Sequence, residues 1–128
     1  MSHKQVLNTG EAPAAIGPYN QAIQAGNTLY VSGQIPLIPE TMELIDSGVA
    51  DETHQVLKNV QAILTHAGYT FSDVVKASIF IADMNDFATI NEVYAQYFIE
   101  NQPARECVAV KTLPKNVNVE ISVIAWKA

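Results

Sequence analysis

The stretch VNVEISVIAW, residues 117–126, decides the fold because it alternates strictly between two kinds of side chain. Its odd-numbered positions are all Val, Ile or Ala, whereas the even-numbered ones include Asn118, Glu120 and Ser122. Successive side chains of a β-strand point to opposite faces, so the pattern predicts a strand with one buried apolar face. Glu120 then lies mid-strand on the other face, where a carboxylate gains nothing from packing.

Gly and Pro residues divide the rest of the chain into short segments, which predict about six strands and two helices. The strands that we can place span residues 21–24, 29–35, 74–82, 105–111 and 117–126. Apolar residues at helical spacing predict one helix over 49–67, ended by Gly68, and a second over 87–99. Asp51 and Glu52 lie near the positive end of the first helix, and Asn85 or Asp86 is available as N-cap of the second.

This order of elements predicts an α+β fold, a mixed six-stranded sheet with both helices on one face. Two helices can cover only one face of such a sheet. On the other face Ser78, Phe80, Ile124 and Trp126 would place apolar surface in water, in a chain of which only 16% is charged. We therefore expect an oligomer that covers this face.

Length and charge exclude several classes of protein. The 128 residues suffice for a single domain, which we expect to span 1–128. A net charge of -6 without a Lys/Arg cluster argues against a nucleic-acid partner. No run approaches the roughly 18 apolar residues that a membrane span needs. Residues 1–5 lead into polar sequence rather than an apolar signal region, so we expect a cytoplasmic location.

The cysteine and the histidines give no metal or redox pattern. Cys107 is the single cysteine, and His3, His54 and His66 are scattered, so we expect neither a disulfide nor a metal site. His54 and His66 fall on the polar side of the first helix, where solvated side chains are expected. Because no histidine lies in a comparable strand, Cys107 is interpreted as a small packing residue rather than as a nucleophile.

Arg105 and Glu120 are the charged pair of most interest. Arg105 and Cys107 share one face of their predicted strand, and if that strand joins the sheet of Glu120, the two charges can approach on the same surface. From spacing alone, an ion pair at an oligomer interface is the favoured interpretation and a catalytic pair is the alternative.

Two weaker signals come from Tyr19 and Gly33. The first follows Gly17-Pro18, a rigid turn that would present its hydroxyl. The second stands within a strand, where a ligand or another backbone can approach closely. A bend supported by proline and a bulge formed by glycine explain these positions without any ligand.

Several segments taken together resemble the RidA (YjgF) family of reactive-intermediate deaminases. The segments, which run in order over nearly the whole chain, are APAAIGPY at 12–19, SGQIP at 32–36, NDFATIN at 85–91, PAR at 103–105 with CV at 107–108, and LPK at 113–115 through VEI at 119–121. Each motif is modest, but their joint occurrence at compatible spacing is specific. The resemblance implies a chorismate-mutase-like α+β fold, assembled as a homotrimer with a central barrel and with ligand clefts between subunits.

The resemblance also implies a reaction. Members of this type hydrolyse 2-imino acids released by pyridoxal-phosphate dehydratases, such as 2-iminobutanoate and 2-iminopropanoate, to 2-keto acids and ammonia without a cofactor. Carried over, Arg105 would bind the substrate carboxylate, for which a guanidinium has bidentate geometry, and Glu120 would activate the attacking water. The remaining implied contacts are the backbone at Gly33 and Cys107, which would hold the substrate, and Tyr19, Ser32 and Asn91, which would line the cleft.

The chain departs from the family pattern near the arginine. The segment before Pro103 is shorter, Gln102 replaces an apolar residue, and Glu106 stands where a small residue is common. Alternation points Glu106 away from Arg105, so it should not neutralise the guanidinium, although it could alter a subunit contact. Two other functions fit less well: a non-catalytic trimer that binds small carboxylates as a regulator of amino-acid metabolism, and the ribonuclease activity of some relatives, which the acidic charge disfavours.

Overall fold

The computed structural model describes residues 4–128, which form one six-stranded mixed sheet and two helices. The strands are β1 (Lys4–Leu7), β2 (Ala22–Ala25), β3 (Thr28–Gln34), β4 (Val74–Ile81), β5 (Ala104–Ala109) and β6 (Val119–Trp126), and the helices are α1 (Val49–Ala67) and α2 (Phe87–Tyr97). All five strands placed from the sequence are confirmed, with ends within two residues of those expected. The sixth is β1, which lies in polar sequence without a strand pattern.

The strands follow the order β1-β2-β3-β6-β4-β5 across the sheet. Every neighbouring pair is antiparallel except β4 and β5, which run parallel. A parallel pair needs a crossover connection, and α2 supplies it. Strands β2 and β3 form a hairpin, and Gly26 turns it with a φ of 60°. Because β4 lies between β5 and β6, the last two strands of the chain are not neighbours.

The apolar side chains of β6 face both helices, as predicted. Val119 and Ile121 are fully buried in one cluster with Leu57 of α1 and Ile90 of α2. Burying a large aliphatic side chain contributes about 1.5–3 kcal/mol, so this layer is a main source of stability. The α+β architecture with both helices on one face of the sheet is therefore confirmed.

Helix α1 begins and ends where its pattern predicts. Gly68 follows it with a φ of 85° and donates its N–H to two carbonyls of the last turn. His66 is exposed, as expected. The prediction of a solvated His54 was wrong, because α2 packs alongside: His54 is half-buried, and its Nδ1 lies 2.8 Å from Tyr97 Oη.

The first turn of α1 contains Asp51 and Glu52, as predicted, but only Asp51 is exposed. Glu52 is 6% exposed and its Oε2 accepts a hydrogen bond of 2.9 Å from Asn118 Nδ2. Besides lying near the positive helix end, Glu52 therefore ties α1 to the chain just before β6.

Helix α2 is entered through a short 3-10 turn. The side chain of Asp83 accepts a hydrogen bond from the N–H of Asn85, whereas Asp86 precedes the helix without a side-chain cap. The prediction of Asn85 or Asp86 as the capping side chain was therefore wrong, since the 3-10 turn supplies the entry. The helix ends at Tyr97, two residues earlier than expected, because Phe98 leaves helical geometry and is buried.

The face of the sheet opposite the helices, called the open face below, carries exposed apolar side chains. Tyr30, Val108 and Trp126 are each close to half exposed there. Phe80 and Ile124, which were predicted on this face, are half-buried. The segments at 35–37 and 113–117 pack against Phe80, and no helix or strand of residues 4–128 covers the rest of the open face.

Candidate active site

Glu120 lies on the open face in the middle of β6, beside the irregular segments that flank β3. It forms one wall of a pocket, called the Glu120 pocket below, whose other lining residues are Pro13, Ala14, Ile16, Tyr19, Gln21, Gly33, Gln34, Ile35, Leu37 and Pro114. Within residues 4–128 no cation lies within 4.0 Å of the carboxylate and no side chain donates a hydrogen bond to it. A half-buried carboxylate without a partner is costly, so a role outside packing must be sought.

Burial raises the pKa of Glu120 above the ordinary value of a glutamate, because loss of water disfavours the charged form. A carboxylate with a raised pKa is a stronger base. The environment of Glu120 therefore suits it to take a proton from a water molecule in this pocket.

Gly33 is required by the close approach of Glu120. The register between β3 and β6 shifts between Val31 and Gln34, as in a β-bulge, and Gly33 lies within that shift. A Cβ on Gly33 would lie 2.7 Å from Glu120 Oε2 and 2.9 Å from Cδ. The sequence indicated a close approach at this glycine, and the approaching group is the carboxylate of Glu120.

Tyr19 and Ser32 lie near the pocket in different ways. Tyr19 lines it, in a turn where its N–H donates to the carbonyl of Gly17 at 2.8 Å and its hydroxyl accepts from the N–H of Ile16 at 3.3 Å. Ser32 is not among the lining residues, and its hydroxyl donates to the carbonyl of Asn20 at 2.6 Å. Ser32 thus anchors the chain next to Tyr19.

Arg105 lies on β5 against α2, in a second pocket, called the Arg105 pocket below. The pocket is also lined by Asn91, Tyr94, Ala95, Phe98, Gln102 and Pro103. The guanidinium donates a hydrogen bond of 2.6 Å from Nη1 to Asn91 Oδ1, and no carboxylate of the described chain lies within 4.0 Å of it. Its charge is therefore available to an anionic ligand, for which the planar fork of N–H donors is suited.

Aromatic rings hold the guanidinium from the helix side. Its central carbon lies 4.9 Å from the ring centroid of Tyr94 and 5.8 Å from that of Phe87, within the range of cation–π attraction. Burial raises the pKa of Tyr94 to about 12, although Arg105 opposes this shift. The Tyr94 hydroxyl is buried without a hydrogen-bond partner in the described chain. Tyr94 therefore contacts Arg105 through its ring and not through its hydroxyl.

Cys107 lies on the same side of β5 as Arg105 and packs against the hydrophobic core. Burial raises the pKa of its thiol, and the nearby Arg105 lowers it by less. The thiol form is thereby favoured over the nucleophilic thiolate, in line with a packing role.

Arg105 and Glu120 do not meet within one chain, so the expectation that they approach on the same surface was wrong. Arg105 pairs with Ala77 of β4 and Glu120 pairs with Phe80 of the same strand, on its other side. Two strand spacings and three residues along the strand separate them by about 14 Å. Because Ala77 and Phe80 are an odd number of residues apart, the two charges also lie on opposite faces of the sheet. An intramolecular ion pair is excluded.

Of the departures from the family pattern, Gln102 lies at the Arg105 pocket and Glu106 lies on the other face of the sheet. Glu106 points away from Arg105, as predicted, and its Oε1 lies 3.2 Å from Lys76 Nζ. Gln102 and Pro103 line the pocket, and Gln102 Nε2 donates to the carbonyl of Phe98 at 3.3 Å. The amide therefore gives the entrance a polar edge.

Residues 4–128 contain no cluster of three or more His, Cys, Asp or Glu side chains that could hold a metal ion. His3, which entered the sequence argument, lies outside the described residues. Nor does this part of the chain contain a helix long and apolar enough to cross a bilayer.

Two contributors to the pockets escaped the sequence analysis. Gln21 is 2% exposed and lines the Glu120 pocket, although its segment was interpreted as a strand. Tyr94 falls within the helix predicted over 87–99, but its position under Arg105 follows from tertiary packing. A hydrophobic pattern cannot predict that an amide such as Gln21 is buried. Nor can it predict which aromatic residue of the core contacts a cation.

Together the fold and the pockets define a class of protein: a small α+β protein with two helices on one face of its sheet. Within residues 4–128, a guanidinium without a carboxylate partner lies on the helix side and a carboxylate without a cation lies on the open face. The family model described as Endoribonuclease L-PSP matches residues 9–127. The human protein named 2-iminobutanoate/2-iminopropanoate deaminase is 48% identical over 95% of this chain and 89% of its own length.

Solved structures of similar proteins share this fold. A putative endoribonuclease from Thermotoga maritima superposes with a TM-score of 0.95 at 48% identity, covering 97% of this chain and 98% of that one. Escherichia coli TdcF with bound serine superposes with a TM-score of 0.92 at 46% identity, covering 97% and 99%. The chain belongs to the Endoribonuclease L-PSP family, and the resemblance to RidA (YjgF) proteins is confirmed.

Proposed function

We propose that this chain hydrolyses 2-imino acids, such as 2-iminobutanoate and 2-iminopropanoate, to 2-keto acids and ammonia. One observation carries the proposal: within residues 4–128 the structure has a guanidinium without a carboxylate partner and a half-buried carboxylate without a cation. These are the two groups that an anionic substrate and an attacking water require. The name of the human relative, which is 48% identical, supports the choice of reaction.

In the proposed mechanism, Arg105 binds the substrate carboxylate and Glu120 orients a water molecule. The water oxygen bonds to the carbon of the protonated imine while Glu120 accepts the proton that the water loses. Glu120 then passes this proton to the nitrogen and takes the hydroxyl proton as the carbonyl forms. The carbon–nitrogen bond breaks, ammonia leaves, and Glu120 gives the proton to the departing ammonia as ammonium, which restores the carboxylate. General-base catalysis of this kind contributes about a hundredfold or more.

We further propose that each site is shared between two copies of the chain, in a homotrimer with a central barrel. Arg105 and Glu120 lie on opposite faces of one sheet, so a second copy must bring a complementary half-site. The apolar side chains of the open face, such as Tyr30 and Trp126, supply surface for such a contact. A cyclic trimer repeats the contact three times and closes, as symmetric oligomers do.

The remaining contacts of the proposed site follow the resemblance. Tyr19, Gly33 and Glu120 would come from one copy, and Asn91 and Arg105 from its neighbour. Ser32 would act by anchoring the chain beside Tyr19, and Cys107 through its backbone. We expect this single domain, residues 1–128, to work in the cytoplasm without a cofactor, because a protonated imine is already electrophilic.

A carboxylate-binding regulator is the second candidate. It is favoured by the structural neighbour with bound serine, since Arg105 alone would suffice to hold such a ligand. Turnover separates the two candidates, because binding of a 2-keto acid fits both. The ribonuclease named by the family description fits a chain of net charge -6 poorly.

The test is competition for an imine made in situ by an amino-acid oxidase, with semicarbazide as trapping agent. Wild type should lower the yield of semicarbazone, whereas Arg105→Ala and Glu120→Ala should leave it near that of the enzyme-free reaction. Circular dichroism controls for folding. An unchanged yield with wild type for several imines would leave the regulator as the better hypothesis.

A further inference from the structure

One wall of the Glu120 pocket lies outside the sheet. Residues 8–20 between β1 and β2 form no strand or helix, yet four of them line the pocket. Such a segment must be held by side chains, because it lacks the backbone ladder that fixes a strand.

Gln21 holds this wall from within. Its Oε1 accepts the N–H of Thr9 at 2.6 Å, and its Nε2 donates to the carbonyls of Thr9 at 3.0 Å and Pro13 at 2.8 Å, with a longer contact of 3.3 Å to Ala12. The side chain is 2% exposed. Only a primary amide offers an acceptor and two donors from one end, so no apolar residue of this size could replace these bonds.

Gln21 is itself fixed to the strand that carries Gly33. The N–H of Ser32 donates to the carbonyl of Gln21 at 2.9 Å, and the Ser32 hydroxyl donates to the carbonyl of Asn20 at 2.6 Å. Gly33 follows Ser32 and contacts Glu120. A continuous set of hydrogen bonds thus joins the wall at Pro13 to the strand beside the proposed base.

We propose that Gln21 is a positioning residue, which sets the distance between the wall at residues 12–19 and Glu120 and so fixes the place of the attacking water. This inference rests on the proposed function. Gln21 acts through the chain that it holds, so its loss should slow the chemical step more than it weakens binding at Arg105.

Two variants test the proposal. Gln21→Met keeps size but removes every hydrogen bond, and Gln21→Glu keeps the acceptor for Thr9 while its ionised form offers no donor to the carbonyls. The control is Tyr69→Phe, which removes one buried hydrogen bond, 2.9 Å to the carbonyl of Asn27, away from both pockets. All proteins are assayed well below the lowest Tm.

We expect Gln21→Met to lower kcat by about tenfold to a hundredfold, the cost of misplacing reacting groups by less than an ångström. The Kd of 2-ketobutanoate should change less than about threefold, since Arg105 is untouched. Tyr69→Phe should retain wild-type kcat. For Gln21→Glu, the ratio of kcat to wild type should rise as pH falls, because the protonated side chain regains a donor. Glu120 faces the same pocket, and a carboxylate at position 21 would raise the pKa of Glu120 in the variant by like-charge repulsion. Because this effect costs the variant its base earlier as pH falls, it lowers the ratio, and a rise of the ratio therefore reports the regained donor.

The outcomes separate the two proposals. If wild type is active and both Gln21 variants match it in kcat, or if Tyr69→Phe loses as much as they do, the positioning role is wrong and the proposed function stands. If wild type hydrolyses no imine, the proposed function fails, and the positioning role of Gln21 fails with it. Failure of Gln21→Met to fold leaves the pH-dependent ratio of Gln21→Glu to decide, and a flat ratio would contradict the proposal.

Discussion

Replacing Gly33 by alanine should impair catalysis without unfolding the protein. The new Cβ would lie 2.7 Å from Glu120 Oε2, so this oxygen must retreat by about 0.7 Å to reach an ordinary contact of 3.4 Å. The backbone at Gly33 has no positive φ, so alanine fits the chain itself. The clash meets the end of a flexible side chain, and we expect a loss of stability below about 1 kcal/mol, partly offset by the lower entropy of the unfolded chain.

A carboxylate moved by this distance should hold its water badly, and we expect imine hydrolysis to fall by about tenfold to a hundredfold. The semicarbazide competition assay measures this loss, with Tm as the measure of folding. Gly10→Ala is the matched control, because a Cβ at Gly10 meets nothing within 4 Å. Wild-type activity in Gly33→Ala, with Tm unchanged, would refute the assignment of Glu120 as base.

Three further predictions follow from the two pockets. Arg105→Ala should raise KM by about ten- to a hundredfold, because it removes a charge-assisted hydrogen bond worth about 1.5–3 kcal/mol. Cys107→Ser should change imine hydrolysis little. Equal and severe losses of activity in both variants would contradict these roles. Glu120→Gln should stabilise the protein at neutral pH. The raised pKa of Glu120 means that the native state holds its proton to higher pH than the unfolded state does, so the free energy of unfolding of wild type falls as pH rises through that pKa. Denaturant titrations should show the variant more stable by a margin that widens as pH rises, and a constant margin would contradict the effect of burial. Tyr94→Phe should keep both Tm and KM, because the Tyr94 hydroxyl has no hydrogen-bond partner within residues 4–128. Tyr94→Leu should raise KM, because it removes the ring that contacts the Arg105 guanidinium. Equal effects of both variants on KM would contradict this role of the ring.

Local periodicity was enough to predict both helices and five of the six strands. The period of two in residues 117–126 and the helical stripe of 49–67 each follow from which side chains must be buried. The same patterns predicted that one sheet face would be open. They say nothing of strand order or register. The insertion of β4 between β5 and β6 separates Arg105 from Glu120, and the register of both strands on β4 places them on opposite faces.

Buried polar contacts account for the other differences between prediction and structure. His54 is held by Tyr97 and Glu52 by Asn118, and each partner is distant in sequence. Gln21 is likewise polar, and a pattern of apolar residues assigns such side chains to solvent. Individual site residues were named from the family resemblance, while the contacts that hold them depend on tertiary structure.

Subunit complementation tests the central claim most directly, that one chain supplies Arg105 and its neighbour Glu120. Arg105→Ala and Glu120→Ala, inactive alone, are co-expressed with two tags and the mixed oligomer is purified. Every mixed cyclic trimer, whether 2:1 or 1:2, has one interface of its three that combines an intact Arg105 with an intact Glu120. We predict recovery of imine hydrolysis to about a third of the wild-type rate per site. A mixed oligomer as inactive as its parents would contradict the shared site.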